Sequence, residues 1–291
     1  MKTVFHTSAD LLALLAETGF SPEEYAVKRE AFLQGRSDEE VLKEIDRRIG
    51  VTGDALRKGL EVPQRSFSGL TRGAAGLLRE ARSALVQDEF YLKAVSYALA
   101  VSEVNACGGK VIAFPTAGSC GIVPGVLWAY RDARANTADP ADFRAAFIIS
   151  SLVGVLVAQR ATLAGSEGGC QAECGVAGAM AAAGLVRFAG GDFGRGLNAA
   201  ALSLKNSLGL ACDPVAGLVE VPCVKRNAFV AVQAITASHL SLAGVDSAIP
   251  FDEVVGALRE IGSVLPSSIK ESSEGGLAAT PTGKAYKERI R

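Results

Sequence analysis

The chain has 291 residues, with 30 Lys and Arg against 31 Asp and Glu, and a net charge of −1. At roughly 150 residues per domain it holds one large domain or two modest ones, and 49% hydrophobic with 21% charged residues excludes a disordered chain. A near-neutral balance excludes the basic face of a nucleic-acid binder, and two histidines exclude a multi-histidine metal site built from this chain alone.

The first twenty residues carry Lys2, Asp10 and Glu17 and no unbroken apolar stretch, so no signal peptide is read there. Ser37-Asp-Glu-Glu40 reads as a capping box, followed by Val41, Leu42, Ile45 and Ile49 at helical spacing. Residues 1–65 are expected to form a helical N-terminal extension, and 66–291 the main domain. Arg65–Gly73 (RSFSGLTRG) is a Ser/Gly-rich break. Helical periodicity resumes over Ala74–Val101 through Leu77, Leu78, Ala81, Leu85 and Val86.

Residues 102–245 are poor in charge and rich in Ala and Gly. Helical patterns there are expected to alternate with loops at Gly108–Gly125, Gly165–Gly178 and Cys212–Cys223. Ala145–Ala158 is too short to span a bilayer and reads as a buried helix, so no membrane association is expected. Val111–Phe114 and Leu218–Val221 are short apolar pieces beside loops. Residues 252–263 read as another amphipathic helix, and the tail from Pro266 is polar and Gly-rich. The expected fold is all-α, one helical domain with 145–245 in the middle of the bundle and Gly/Pro loops between helices. The expected location is cytoplasmic, where six cysteines are poor disulfide candidates.

Several familiar sites fail on spacing. GLAATPTGK (276–284) has six residues between its glycines and Ala285 after the lysine, so it is not a phosphate loop. No GxGxxG follows a strand. His239 lies in the apolar run TASHLSLAG, where a structural role is expected.

The cysteines carry more. Cys107 and Cys120 flank a Gly-rich stretch, Cys170 and Cys174 lie in GSEGGCQAEC, and Cys212 and Cys223 bracket DPVAGLVEVP. Any one of them reads by default as a small buried hydrophobe. Cys170, Cys212 and Cys223 sit in Gly/Pro loops, however, where freed backbone amides donate to thiolate or sulfide. Pro214 and Pro222 keep the last loop from becoming helix. Thiolates without histidine suit a soft iron–sulfur site better than a hard ion.

The segments PTAGSCGIVPG (115–125), GSEGGCQAECG (165–175), LGLACDPVAGLVEVPCVKRNA (208–228) and GGLAATPTG (275–283) resemble the iron–sulfur L-serine dehydratases, in the form of their separate alpha chain. The resemblance spans about 65–283. It implies an all-helical catalytic domain and a [4Fe–4S] cluster on Cys170, Cys212 and Cys223, with Cys107, Cys120 and Cys174 as non-ligands. A fourth ligand from Cys174 or Cys120 would make an electron carrier instead. The resemblance further implies L-serine as substrate and a beta subunit as partner. Substrate-binding candidates beside the ligands are Ser68 and Thr71 of the SGLT-like loop, Thr116, Gly118 and Ser119, and Ser166 and Glu167 for the amine. Asn227, just past the last cysteine, joins them as a supporting group. The SGLT-like loop continues with Arg72 where the family usually has Gly. Lys225 and Arg226 read as solvated. The catalytic base is unassigned: the resemblance implies a histidine from the partner, His6 and His239 match no family motif, and a Lys, Glu or deprotonated Ser of this chain is the alternative.

Overall fold

A computed structural model describes residues 3–81, 88–134 and 137–290. Leu85 and Val86, part of the helical pattern read over 74–101, lie outside them. The described residues contain thirteen α-helices and no strand, apart from isolated bridges between Arg65 and Arg72 and between Cys212 and Lys270. The all-α expectation holds.

Three N-terminal helices are set by local sequence: α1 (Ser8–Thr18), α2 (Pro22–Gln34) and α3 (Asp38–Glu61). Each opens on a capping box, Thr7 with Asp10, Ser21 with Glu24, and Ser37 with Glu40, as the sequence spelled for the third. Phe5, Leu11, Leu14 and Tyr25 join the main core, while Val41 packs with Val27, Ala31 and Ile148. The Trp128 indole N–H donates to Thr52 Oγ1 at 2.9 Å, tying α3 to α6 (Ile122–Ala133).

The core is built on α5 (Glu89–Ala106), α6, α7 (Pro140–Ala158), α9 (Val176–Phe188), α10 (Phe193–Lys205) and α11 (Cys223–Leu242). Helix α9 is buried on every side except at Arg187, as expected for the middle of the bundle. Small residues make this possible. A Cβ on Gly184 of α9 would lie 2.2 Å from Ser150 Oγ and 2.8 Å from the Ala146 carbonyl on α7, so the helices meet nearly backbone to backbone. Helix α7 is long and apolar enough to cross a membrane by length and composition, and 67% of that window is buried in the protein.

Two expectations are corrected. Gly165–Gly178 is not one loop: it contains α8 (Gly165–Gly168), a π-helical stretch Gln171–Gly175, and the start of α9. Gly108–Gly125 likewise ends as a 3₁₀ turn (Ala117–Ser119) and the first turn of α6. In both, glycine serves close packing as much as turning. Helix α4 (Ala74–Glu80) has no cap of its own, and Glu103 of α5, fully buried, accepts from the N–H groups of Ala74 and Ala75. Helix α12 (Phe251–Val264) and α13 (Pro281–Ile290) complete the chain.

Candidate metal centre and active site

The segments that open α6, α9 and α11 touch one another. The N-termini of α6 and α11 and the π stretch that runs into α9 therefore meet in a common region. Each contributes side chains whose positions follow from local structure.

Cys170 stands at the head of the π stretch, a distortion of the kind common at functional sites. Its neighbour Gln171 is fully buried and stitches the segment in place. Gln171 Nε2 donates to the carbonyls of Gly168 at 2.9 Å and Leu258 at 3.1 Å, and Oε1 accepts from the Gly209 N–H at 2.9 Å. Cys212 is held by the tail: its N–H donates to the Ile269 carbonyl at 2.8 Å, and its carbonyl accepts from the Glu271 N–H at 2.6 Å. Asp213 Oδ2 accepts from the Leu277 N–H at 2.8 Å, so the GGLAATPTG segment closes on the residue after Cys212. Cys223 is the first residue of α11.

The thiols form a connected group. Cys170 accepts hydrogen bonds from the thiols of Cys174 and Cys212, which hold it well below the usual thiol range despite burial, and the Arg226 guanidinium adds to the effect. Cys174 and Cys212 are raised by the same bonds. Burial pushes the Cys223 thiol up to about 12, and the Cys170 charge adds to it. Cys120 stands apart, completely buried among Ala55, Leu56, Val101 and Val104, with its thiol pushed by burial up to about 12. Cys107 caps the end of α5.

Arg226 corrects the expectation of a solvated side chain. Only Lys225 is exposed. The Arg226 guanidinium is 15% exposed, lies 3.5 Å from Asp213 Oδ1, donates to the Ala211 carbonyl at 2.8 Å and bonds Cys170. It sits one turn into α11 from Cys223 and is the cation of the thiol group.

Glu173 is the residue that sequence reasoning missed. It lies three residues after Cys170, on the same face. Its Oε2 accepts from Cys212 Sγ at 3.6 Å, and its carboxylate bonds the Thr116 side chain. A Cβ on Gly165 would lie 2.4 Å from Oε2 and 3.0 Å from Cys212 Sγ, so a side chain at 165 would push the carboxylate from this place. Burial pushes the Glu173 carboxyl up to about 7. The signal available in the sequence was its one-turn spacing from a candidate ligand.

The predicted substrate residues separate into groups. Thr116 and Gly118 adjoin Glu173. The N–H groups of Ala117 and Gly118 find no acceptor in the described protein. Ser119 is fully buried and its hydroxyl donates to the Phe114 carbonyl at 2.7 Å, so it closes the turn. Asn227 is likewise buried and fully used. Its Oδ1 accepts from the Gly121 N–H at 2.9 Å, and Nδ2 donates to the carbonyls of Gly118 at 2.7 Å and Cys223 at 2.9 Å. It clamps the 116–121 turn to the start of α11. Ser166 and Glu167 are exposed on α8, and Glu167 lines a cavity with Arg160, Thr162 and Arg259 whose lining includes none of the cysteines. The hydroxyls of Ser68 and Thr71 are bonded to Glu220. His239 is exposed against Tyr91, sixteen residues or about 24 Å along α11 from Cys223, and His6 is exposed beside α1.

Among the described residues no group of three His, Cys, Asp or Glu side chains is arranged to hold a single metal ion. The fold and site define an all-helical protein with buried thiols, one guanidinium and one carboxylate at converging helix N-termini. The family described as "Serine dehydratase alpha chain" matches residues 17–278, and the chain belongs to it. It is 41% identical over 291 residues to the Bacillus subtilis (strain 168) protein named "Probable L-serine dehydratase, alpha chain", covering 99% of this chain and 95% of that one. It is 37% identical over 285 residues to "L-serine dehydratase, alpha chain" of Peptoniphilus asaccharolyticus, covering 97% and 96%. Against "L-serine dehydratase 1" of Escherichia coli (strain K12) it is 36% identical over 284 residues, covering 94% of this chain and 61% of that longer one.

Proposed function

We propose that this chain is the alpha subunit of an L-serine dehydratase that removes water and then ammonia from L-serine to give pyruvate. A [4Fe–4S] cluster on Cys170, Cys212 and Cys223 is its cofactor, a beta subunit is its partner, and the cytoplasm, which keeps thiols reduced, is its setting. The observation that carries this is the convergence of Cys170, Cys212 and Cys223 with Arg226 and Glu173. The donor set fits the cluster chemically: buried thiols, a guanidinium to offset their charge, and no imidazole.

When held by three cysteines, such a cluster supplies an open iron that acts as a Lewis acid toward the substrate hydroxyl. The protein does the rest. The free N–H groups of Ala117 and Gly118 receive the substrate carboxylate. Asn227 keeps that turn in register with Cys223. Glu173 takes the α-proton on a carboxylate oxygen as the C–O bond at Cβ breaks and passes that proton to the departing hydroxyl, which leaves as water; the aminoacrylate tautomerises to the imine, and a water hydrolyses it to pyruvate and ammonia. Arg226 holds the thiolate charge and stays outside the proton transfer.

Cys174 beside Cys170 favours a second reading, a centre closed by four thiolates that carries electrons. Anaerobic loading with iron and sulfide, followed by a pyruvate assay with and without the beta subunit, separates the two. Pyruvate from L-serine supports the dehydratase. A loaded chain that makes none, with the partner present, supports the carrier. Glu173→Gln retaining full turnover in the presence of the partner would move the base to the partner.

A further inference from the structure

The 65–72 hairpin is fastened to the cysteine loop by one side chain. Glu220 lies between Cys212 and Cys223 and is 5% exposed. Its Oε2 accepts from the hydroxyls of Ser66 at 2.6 Å and Thr71 at 2.7 Å, and its Oε1 from the Ser68 hydroxyl at 2.7 Å. A carboxylate taking three O–H donors is a strong, charge-assisted arrangement. The same hydroxyl oxygens accept from the hairpin itself, Ser66 from the Thr71 N–H at 3.1 Å and Ser68 from the Leu70 N–H at 3.0 Å. Arg72 folds its Nε–H onto the Gly69 carbonyl at 2.8 Å.

Each hydroxyl has one proton, and Glu220 has taken all three. On the other side of Glu220, Val219 packs toward Gly118. A Cβ there would lie 3.4 Å from Val219 Cγ1 and 3.7 Å from Glu173 Oε1. Residues 219–220 therefore form a strut between the hairpin and the turn that adjoins Glu173.

We propose that Glu220 is a positioning residue: it fastens the 65–72 hairpin to the segment between Cys212 and Cys223 and, through Val219, steadies the 116–118 turn that meets the substrate carboxylate. The hydroxyls of Ser68 and Thr71 are fasteners and not substrate ligands. This rests on the dehydratase reading only for the identity of the substrate.

Two measurements test it. Arg65 and Arg72 are exposed at the hairpin's ends, so trypsin reports its restraint without any activity. Glu220→Gln and Thr71→Val should be cut there at least about tenfold faster than the unaltered chain, the scale of losing hydrogen bonds to a charged group. Thr71→Ser, which keeps the hydroxyl, should be cut at the original rate. In the loaded enzyme with its partner, Glu220→Gln should raise KM for L-serine about tenfold or more, change kcat less, and leave the cluster absorbance intact. Should Glu220→Gln fail to fold, Thr71→Val carries the test from the hairpin's side. Unchanged cutting and unchanged KM would overturn the proposal. So would loss of cluster with unchanged cutting, which would confine Glu220 to the ligand loop. A KM rise in Ser68→Ala far above that in Glu220→Gln would put the hydroxyl on the substrate and also overturn it. If the unaltered enzyme makes no pyruvate, the dehydratase reading falls, while the trypsin comparison still decides whether Glu220 restrains the hairpin.

Discussion

The helical core and the thiol centre are held together by different physics. Around α9 the closest approaches are at glycine, Gly178 to Ser203 and Val230 and Gly184 to Ala146 and Ser150, and position is set by size. Around Cys170 the framework is polar: Gln171, Asn227, Glu220 and Arg226 each bridge segments distant in the chain. Bulk added to the core should therefore cost stability and spare the chemistry. Polar deletions at the centre should do the reverse. The two cysteine environments repeat the contrast, since Cys120 is packed among Ala55, Leu56, Val101 and Val104 with no other thiol or charge of the described residues beside it, while Cys170 is ringed by thiols and a guanidinium.

The largest effect expected is at the three cysteines proposed to hold the cluster. Cys170→Ser, Cys212→Ser and Cys223→Ser should each remove most of the reconstituted iron and sulfide and nearly all pyruvate formation, because a hydroxyl is a poor substitute for thiolate. Cys120→Ser should keep both. Equal iron content in Cys170→Ser and Cys120→Ser would erase the distinction between the two environments. Glu173→Gln comes next: turnover should fall by about a hundredfold or more, the usual worth of a general base, with the iron content unchanged. Steady-state rates beside an iron assay report it.

Gly184→Val sharpens the comparison from the other side. Its side chain would run into Ser150 and the Ala146 carbonyl, and overpacking of this kind costs about 1–3 kcal/mol. Chemical denaturation should show a lower midpoint, while turnover per folded, loaded enzyme stays unchanged. The smallest effect is at Phe67, whose ring is fully exposed although the residues on either side are fastened. Phe67→Ser should alter stability by less than about 0.5 kcal/mol in the same experiment.

The sequence carried the helical fold because helix signals are local. Ser37 and Glu40 sit three residues apart, and so does the hydrogen bonding they make. The cysteine segments stood out for the same reason, as Gly- and Pro-rich breaks in a low-charge region. What could not be read was which side chain of a segment faces inward. In GSEGGCQAEC the acidic residue that meets Cys212 is Glu173, not Glu167, because the π stretch turns the segment after Cys170. Arg226 looked solvated beside Lys225, and only the fold shows that one points at the thiols and the other at water. Ser68 and Thr71 were read as substrate groups from their segment alone; the partner the fold gives their hydroxyls, Glu220, lies about 150 residues away and no local pattern names it.

The central claim is that three of the six cysteines hold a cluster that L-serine reaches. The most direct test is the visible absorption of the anaerobically loaded chain, titrated with L-serine in the presence of the beta subunit. A cluster spectrum should appear that L-serine perturbs in the original protein, that persists in Cys120→Ser and that is lost in Cys170→Ser. A spectrum indifferent to L-serine, or one that survives Cys170→Ser, would contradict the claim.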